Sequence, residues 1–231
     1  YTSAYQKTEW ESKDYYAYSP YQEDAFPQDE FVSYICANAL GLNDKDYAPR
    51  TDSSVRILSL GDSFTEGVGA IGDSSYPKIL QTLLTGTEVI GAGIRGSDPF
   101  FELKLAKKLI PTYNPTVVTV AINATDIQNV ITRGGFERFA PNGAILAKKA
   151  PRWESWFIRS YVLRFLCIKM LNMDFFLIPP FKKEQEHLKT LSLLKESMDH
   201  LYVLCKTRGI RCIFLFHPGD PGEFFENKLI C

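Results

Sequence analysis

The chain has 231 residues, 45% of them apolar and 23% charged, with 26 basic against 27 acidic side chains. That composition excludes a disordered or collagen-like chain, and a net charge of −1 excludes a whole-molecule field that would gather nucleic acid. The longest uncharged run, Leu109 to Thr125, holds two prolines and several polar residues, so no membrane span is expected.

The first residue is Tyr1, and the reading is that something was cut away ahead of it, a signal or an anchor among the candidates. Five cysteines (Cys36, Cys167, Cys205, Cys212 and Cys231) are too scattered for a disulfide framework, and no C-x-x-C occurs. They read as small buried hydrophobes, and neither a metal site nor a cofactor is expected.

Residues 1–54 form an aromatic-rich lead-in with eight of the twelve tyrosines in its first fifty positions and no helical period. An extended segment wrapping a following domain is expected there, its aromatics packed rather than offered to sugar rings. Charge is uneven along the chain. Residues 1–52 carry 4 basic and 10 acidic side chains, whereas residues 127–183 carry 10 basic and 3 acidic.

From Val55 the pattern changes. Val55–Leu60 is an apolar run ended by Gly61, a buried strand. Tyr76–Leu84 has helical spacing, and Thr87–Ile90 is a second strand ended by glycines. Ser97 or Asp98 as N-cap and Pro99 as first helical residue launch a helix to about Ile110. Val117–Ile122 is a third buried strand. Glu184–Arg208 is a long amphipathic helix, and Cys212–Phe216 a fourth strand.

Strands alternating with helices, each strand apolar on both faces, predict an α/β fold: a three-layer, doubly wound parallel sheet spanning residues 55–231. Residues 127–183 interrupt the alternation as a helical insertion. Within it, Trp153 to Phe176 is apolar around most of a helix circumference and broken by Arg159, Arg164 and Lys169. A packed helical subdomain is expected, with contact to a membrane surface as the second reading.

In such a sheet the reactive residues sit in loops at the carboxyl ends of the strands. The first strand runs straight into Gly61-Asp62-Ser63-Phe64-Thr65-Glu66-Gly67. Gly61 lets the chain turn, Asp62 supports the turn, and Ser63 is presented at the sheet edge with its N–H near a helix start. Those are the needs of a nucleophilic serine with its oxyanion donors.

The stretch from Ile57 to Ala70 resembles the first block of the SGNH, or GDSL-type, serine hydrolases, in which the Ser of Gly-Asp-Ser is the nucleophile. Gly91 to Ser97 is similar to the second block, and the resemblance makes Gly96 an oxyanion donor. The third block of that family is Gly-x-Asn-Asp, and this chain has Asn123-Ala124-Thr125-Asp126 in its place. Asp126 matches, Thr125 stands where Asn is expected, and either Thr125 or Asn123 completes the oxyanion hole. Asn43 with Asp44, ahead of the first strand, looks like the upstream region of envelope-associated members. That likeness tilts the expected location towards the periplasm or cell envelope.

The family's general base is a His in a C-terminal Asp-x-x-His block, and none of His187, His200 and His217 has an Asp three residues earlier. His187 and His200 belong on a helix. His217 is better placed, at the carboxyl end of the fourth strand, but its neighbour in the loop is expected to face a different stretch of the sheet edge. The chain is therefore expected to stop before the base. What the resemblance implies is a serine esterase or acyltransferase acting on a small-molecule ester, or on an acylated lipid or carbohydrate, with no nucleic-acid partner. Two other classes stand beside it. One is an SGNH fold that binds a glycan or partner without catalysis. The other is a dinucleotide site at Gly91-x-Gly93-x-x-Gly96, disfavoured because Asp98-Pro99 starts the helix after the glycines.

Overall fold

A computed structural model describes residues 18–27, 31–50, 54–70, 74–140, 154–173 and 180–217. These fall into two compact units, one holding residues 18–126 and 196–217, the other 127–195.

The first unit is built on four parallel strands: β3 (Val55–Gly61), β4 (Thr87–Gly93), β5 (Val117–Ile122) and β6 (Arg211–Phe216). They lie in the order β4-β3-β5-β6. Every pairing is parallel, with Gly61 opposite Gly93, Leu58 opposite Val118 and Val118 opposite Cys212. The chain winds outward from β3 in both directions, as right-handed crossovers on opposite faces require. The fold is thus an α/β doubly wound sheet, and its switch point lies between the carboxyl ends of β3 and β5.

α3 (Pro99–Tyr113) joins β4 to β5. Asp98 caps it, accepting from the Phe100 and Phe101 N–H groups. The helix runs past the expected end at Ile110 despite Pro111. Phe100, Phe101, Leu103, Leu105, Ala106 and Leu109 are all buried, and each large apolar side chain contributes about 1.5–3 kcal/mol. Beyond the proline Tyr113 is buried too, and its carbonyl accepts from an Nη of Arg56 at 2.9 Å, which ties the last turn to the core. The last helix, α7 (Pro180–Lys206), starts four residues before the expected Glu184. Its Ser197 Oγ donates to the Pro99 carbonyl at 2.8 Å, so its C-terminal part lies on the same face as α3.

Two departures concern the strands. β4 does not end at Ile90 but continues through Gly93, where only glycine fits: a Cβ on Gly93 would stand 2.2 Å from the Glu66 backbone nitrogen. The fourth strand is not covered on both faces. β6 is exposed at Arg211, Ile213, Leu215 and Phe216.

The lead-in is more ordered than an extended wrap. Glu23–Pro27 (β1) and Val32–Cys36 (β2) pair as an antiparallel ribbon. The loop after β2 then closes the β4 edge. Gly91 N–H donates to Asp44 Oδ2 (2.7 Å), Val89 C=O accepts from Tyr47 O–H (2.9 Å), and Val89 N–H donates to Gln81 Oε1 (3.1 Å). An edge strand whose polar groups are consumed by side chains offers no template for another strand. Asp44 also pairs with Lys78.

In the second unit the expected helix from Trp153 to Phe176 is broken; Trp153 and residues 174–176 lie outside the described residues. α5 (Glu154–Arg159) stops at Ser160, whose Oγ caps α6 (Tyr161–Phe165) by accepting from Leu163 N–H, and one π turn (Leu166–Met170) follows. α4 (Ala124–Arg133) leads into this unit from β5, and α2 (Tyr76–Leu83) precedes β4. Among the described residues no helix is long and apolar enough to cross a membrane. Nor does any group of three or more His, Cys, Asp or Glu among them have the arrangement to hold a metal ion.

Candidate active site

β3 delivers the chain to the switch point and Gly61 turns it. Its φ of +155° is one that L side chains rarely adopt, and a Cβ there would stand 2.0 Å from Thr65 Oγ1. Asp62 caps the single turn α1 (Ser63–Glu66), accepting from Phe64 N–H at 3.0 Å through Oδ1. Gly67, in the left-handed region, closes that turn with an N–H donated to the Ser63 carbonyl (3.0 Å). Ser63 is half-buried, and its Oγ has no hydrogen-bond partner among the described residues.

The other oxygen of Asp62 reaches the block after β5. Oδ2 accepts from Asn123 Nδ2 at 2.8 Å, while Thr125 Oγ1 lies 3.2 Å away. Asn123 Oδ1 in turn accepts from Thr125 N–H (2.8 Å) and lies 2.6 Å from Thr125 Oγ1. Asp126 Oδ2 accepts from Asn123 N–H at 2.8 Å. Asp62, Asn123 and Asp126 are all buried. A threonine hydroxyl has one proton, and the shorter contact assigns it to Asn123 Oδ1. The carboxamide of Asn123 keeps a second N–H beyond the one given to Asp62.

Gly96 lies in a turn closed by Ser97 N–H to the Ile94 carbonyl (2.9 Å), with φ +72°. Its neighbour Arg95 is tied to α1. The backbone N–H donates to Glu66 Oε2 at 2.5 Å, and Nε and an Nη reach Glu66 Oε1 at 3.0 and 2.7 Å. Tyr18 O–H donates to the same oxygen (2.9 Å), and Arg95 also donates to Ser33 Oγ (3.0 Å). Burial first, and the Glu66 carboxylate second, push the Tyr18 phenol well above its ordinary range.

Behind this assembly lies Glu102, on α3, fully buried and with neither oxygen hydrogen-bonded among the described residues. Desolvation holds its carboxyl well above the usual range, and the charges of Asp126, Asp98 and Asp62 push the same way. Burial thus favours the protonated form of this carboxyl beside the Asp62–Asn123–Asp126 network.

The hydrogen-bond network brings Ser63's turn together with Asn123, Thr125 and Asp126, and Glu66 connects the turn to the residue before Gly96. Of the three histidines, His217 is the one that the described residues bring near Ser63. Its ring meets the Ser63 turn, 5.0 Å from the Phe64 ring and tilted 30° to it, while the His217 backbone N–H donates to the Ile122 carbonyl. β6 is two strands from β3, on the order of 10 Å, a gap that two aromatic rings span. Glu66, Arg95 and Glu102 were not singled out from sequence. The signal available was a charged pair, Glu66 and Arg95, each within three residues of a proposed site residue. As for the dinucleotide reading, Gly91 and Gly93 lie within β4 and the helix begins at Pro99, which is not that motif's strand-to-helix turn.

No protein-family model and no curated protein matches the chain. Solved structures do. The chain is similar to AlinE4, an SGNH-hydrolase family esterase, at 18% identity over 71% of this chain and 77% of that one (TM-score 0.33). It is also similar to a GDSL-like lipase from Bacteroides thetaiotaomicron, at 15% identity over 73% and 72% (TM-score 0.33). A catalytic mutant of an acetylxylan esterase from Geobacillus stearothermophilus matches at 13% identity over 71% and 77% (TM-score 0.30). Against a mutant form of AlinE4 the match is 24% identical, over 36% of this chain and about half (52%) of that one (TM-score 0.30).

Proposed function

We propose that the protein cleaves or transfers an O-acyl group, with Ser63 as nucleophile and an acylated carbohydrate or lipid as substrate. The observation that carries this reading is Asp62. One carboxylate caps the Ser63 turn and holds Asn123 across the switch point, leaving the Ser63 hydroxyl uncommitted. The esterases among the similar solved structures support the same reaction class.

In this mechanism Ser63 Oγ attacks the acyl carbon and gives up its proton as the carbonyl electrons move onto oxygen. The N–H groups of Ser63 and Gly96, with the second N–H of Asn123, hold that oxyanion. Collapse expels the alcohol, which takes up a proton, and leaves an acyl-serine. Water or an acceptor hydroxyl then attacks the ester, giving hydrolysis or transfer. The proton acceptor follows the resemblance, a histidine oriented by a carboxylate. His217 stacked on Phe64 has no such partner among the described residues.

The test is covalent labelling with a fluorophosphonate read by intact mass, alongside turnover of p-nitrophenyl acetate. One adduct on the wild type and none on Ser63→Ala supports the assignment. Equal labelling of both proteins sinks it. The committed hydroxyl of Thr125 favours a second reading, a glycan-binding SGNH fold without catalysis. Acylated-oligosaccharide binding with neither adduct nor turnover would select it.

A further inference from the structure

Residues 154–171 of the second unit obey a helical period but show it inside out. Phe157, Ser160, Arg164 and Cys167 form the inward seam at three- and four-residue steps, with Phe157 fully buried and the other three half-buried. An ordinary surface helix would then turn polar side chains to water. Here the outward side carries Trp156, Tyr161, Val162 and Met170, which are 74%, 73%, 65% and 67% exposed. Phe165 is half exposed among them. Single exposed hydrophobes need no explanation, but a contiguous run of them does.

Charge indicates what covers the run. Residues 154–171 carry three basic side chains, Arg159, Arg164 and Lys169, against one acidic one, Glu154 at the start of α5, in a chain whose overall charge is −1. Arg159 and Lys169 are exposed on the same side as the aromatic residues. A protein–protein interface also enriches Trp, Tyr, Met and Arg, but its core is depleted of charged residues overall and of lysine in particular. A lipid surface asks for the mixture seen here. Its acyl boundary takes apolar side chains, its headgroup layer suits Trp and Tyr, and its anionic lipids attract Arg and Lys.

We infer that residues 154–171 form a peripheral docking surface for an anionic lipid bilayer, lying in the headgroup boundary rather than crossing it. The two short helices and single π turn cannot span a hydrocarbon core, which needs about 20 consecutive apolar residues. The inference is independent of Ser63 chemistry and stands or falls separately from it.

The experiment is co-sedimentation of the full chain with vesicles of phosphatidylcholine alone, or containing about 30% phosphatidylglycerol. Partitioning onto the anionic vesicles should exceed that onto the neutral ones by at least about tenfold and weaken at roughly 0.5 M salt. Arg159→Ser with Lys169→Ser should lower it about thirtyfold, roughly fivefold for each charge. Trp156→Ser with Tyr161→Ser should abolish it. The replaced side chains are exposed, and an unchanged circular dichroism spectrum checks that each variant folds; should the aromatic pair misfold, the basic pair decides alone. No partitioning onto anionic vesicles, or equal partitioning onto both kinds, overturns the inference. So does a concentration-dependent dimer in light scattering that Trp156→Ser dissolves, which would assign the surface to a second copy of the chain.

Discussion

Glu66 holds Arg95 by both its backbone and its side chain: one carboxylate oxygen accepts the Arg95 N–H, the other its guanidinium. The glutamate side chain is almost fully buried and the arginine's is about a quarter exposed (26%). Glu66 ends the Ser63 turn, and Arg95 precedes Gly96, so this pair ties the turn of the proposed nucleophile to its proposed oxyanion donor. Removing one partner of a buried pair strands the other, at a cost of about 3 kcal/mol where that other reaches some water. Glu66→Ala should lower stability by about that amount in urea unfolding. It should also lower kcat far more than it changes KM, because Gly96 matters only once charge develops on the substrate oxygen. Glu66→Gln, which keeps an acceptor for the Arg95 N–H, should recover part of both. An unchanged kcat in folded Glu66→Ala would detach the pair from catalysis.

The two candidates of the third block separate on hydrogen-bond capacity. Thr125 spends its single hydroxyl proton on Asn123 Oδ1, 2.6 Å away, whereas Asn123 gives one N–H to Asp62 and retains another. Asn123→Ala should therefore cost about 100- to 1000-fold in kcat, the loss expected for one oxyanion donor. Thr125→Val should cost less than about tenfold, through looser placement of the Asn123 side chain. Steady-state kinetics on an activated ester compares the two directly. The opposite ranking would make Thr125 the donor.

Much of the sheet was legible in the chain because its strands are apolar runs with clear stops. Val117–Ile122 is read to the residue, and Val55 to Gly61 within one. What stayed hidden depended on tertiary partners. Gly91 and Gly93 read as strand breakers, yet both lie inside β4, which needs Gly93 where α1 packs against it. The β1–β2 ribbon was missed because Ser33, a polar residue, points inward at 3% exposure, against the usual alternation. Its reason is Arg95, sixty-two residues away, which donates to the Ser33 hydroxyl. The candidate site divides the same way. Gly61-Asp62-Ser63 and Asn123 to Asp126 are contiguous and visible as motifs, but the Asp62–Asn123 bond that joins them is not local. Glu102 carries no signal at all, since only the folded packing removes its water.

Glu102 makes a prediction about pH. Its carboxyl is fully buried, and desolvation, then Asp126, Asp98 and Asp62, hold it well above the ordinary carboxylate range. In the unfolded chain it titrates near 4.3 (about the ordinary glutamate value). Above that value the folded state binds a proton that the unfolded state has lost, so stability falls as pH rises, until the folded carboxyl itself ionises. The contribution is thus fully present below the unfolded value and lost towards alkaline pH. Asp44 and Glu66, which are ion-paired, are present in wild type and variant alike, so a variant at Glu102 isolates its own share. Glu102→Gln keeps the volume and cannot ionise. Its Tm should match the wild type at about pH 4 and exceed it at about pH 8, with the gap opening through the interval between. Thermal unfolding across that range would show it, and parallel Tm profiles would mean that Glu102 has found a partner which keeps it charged.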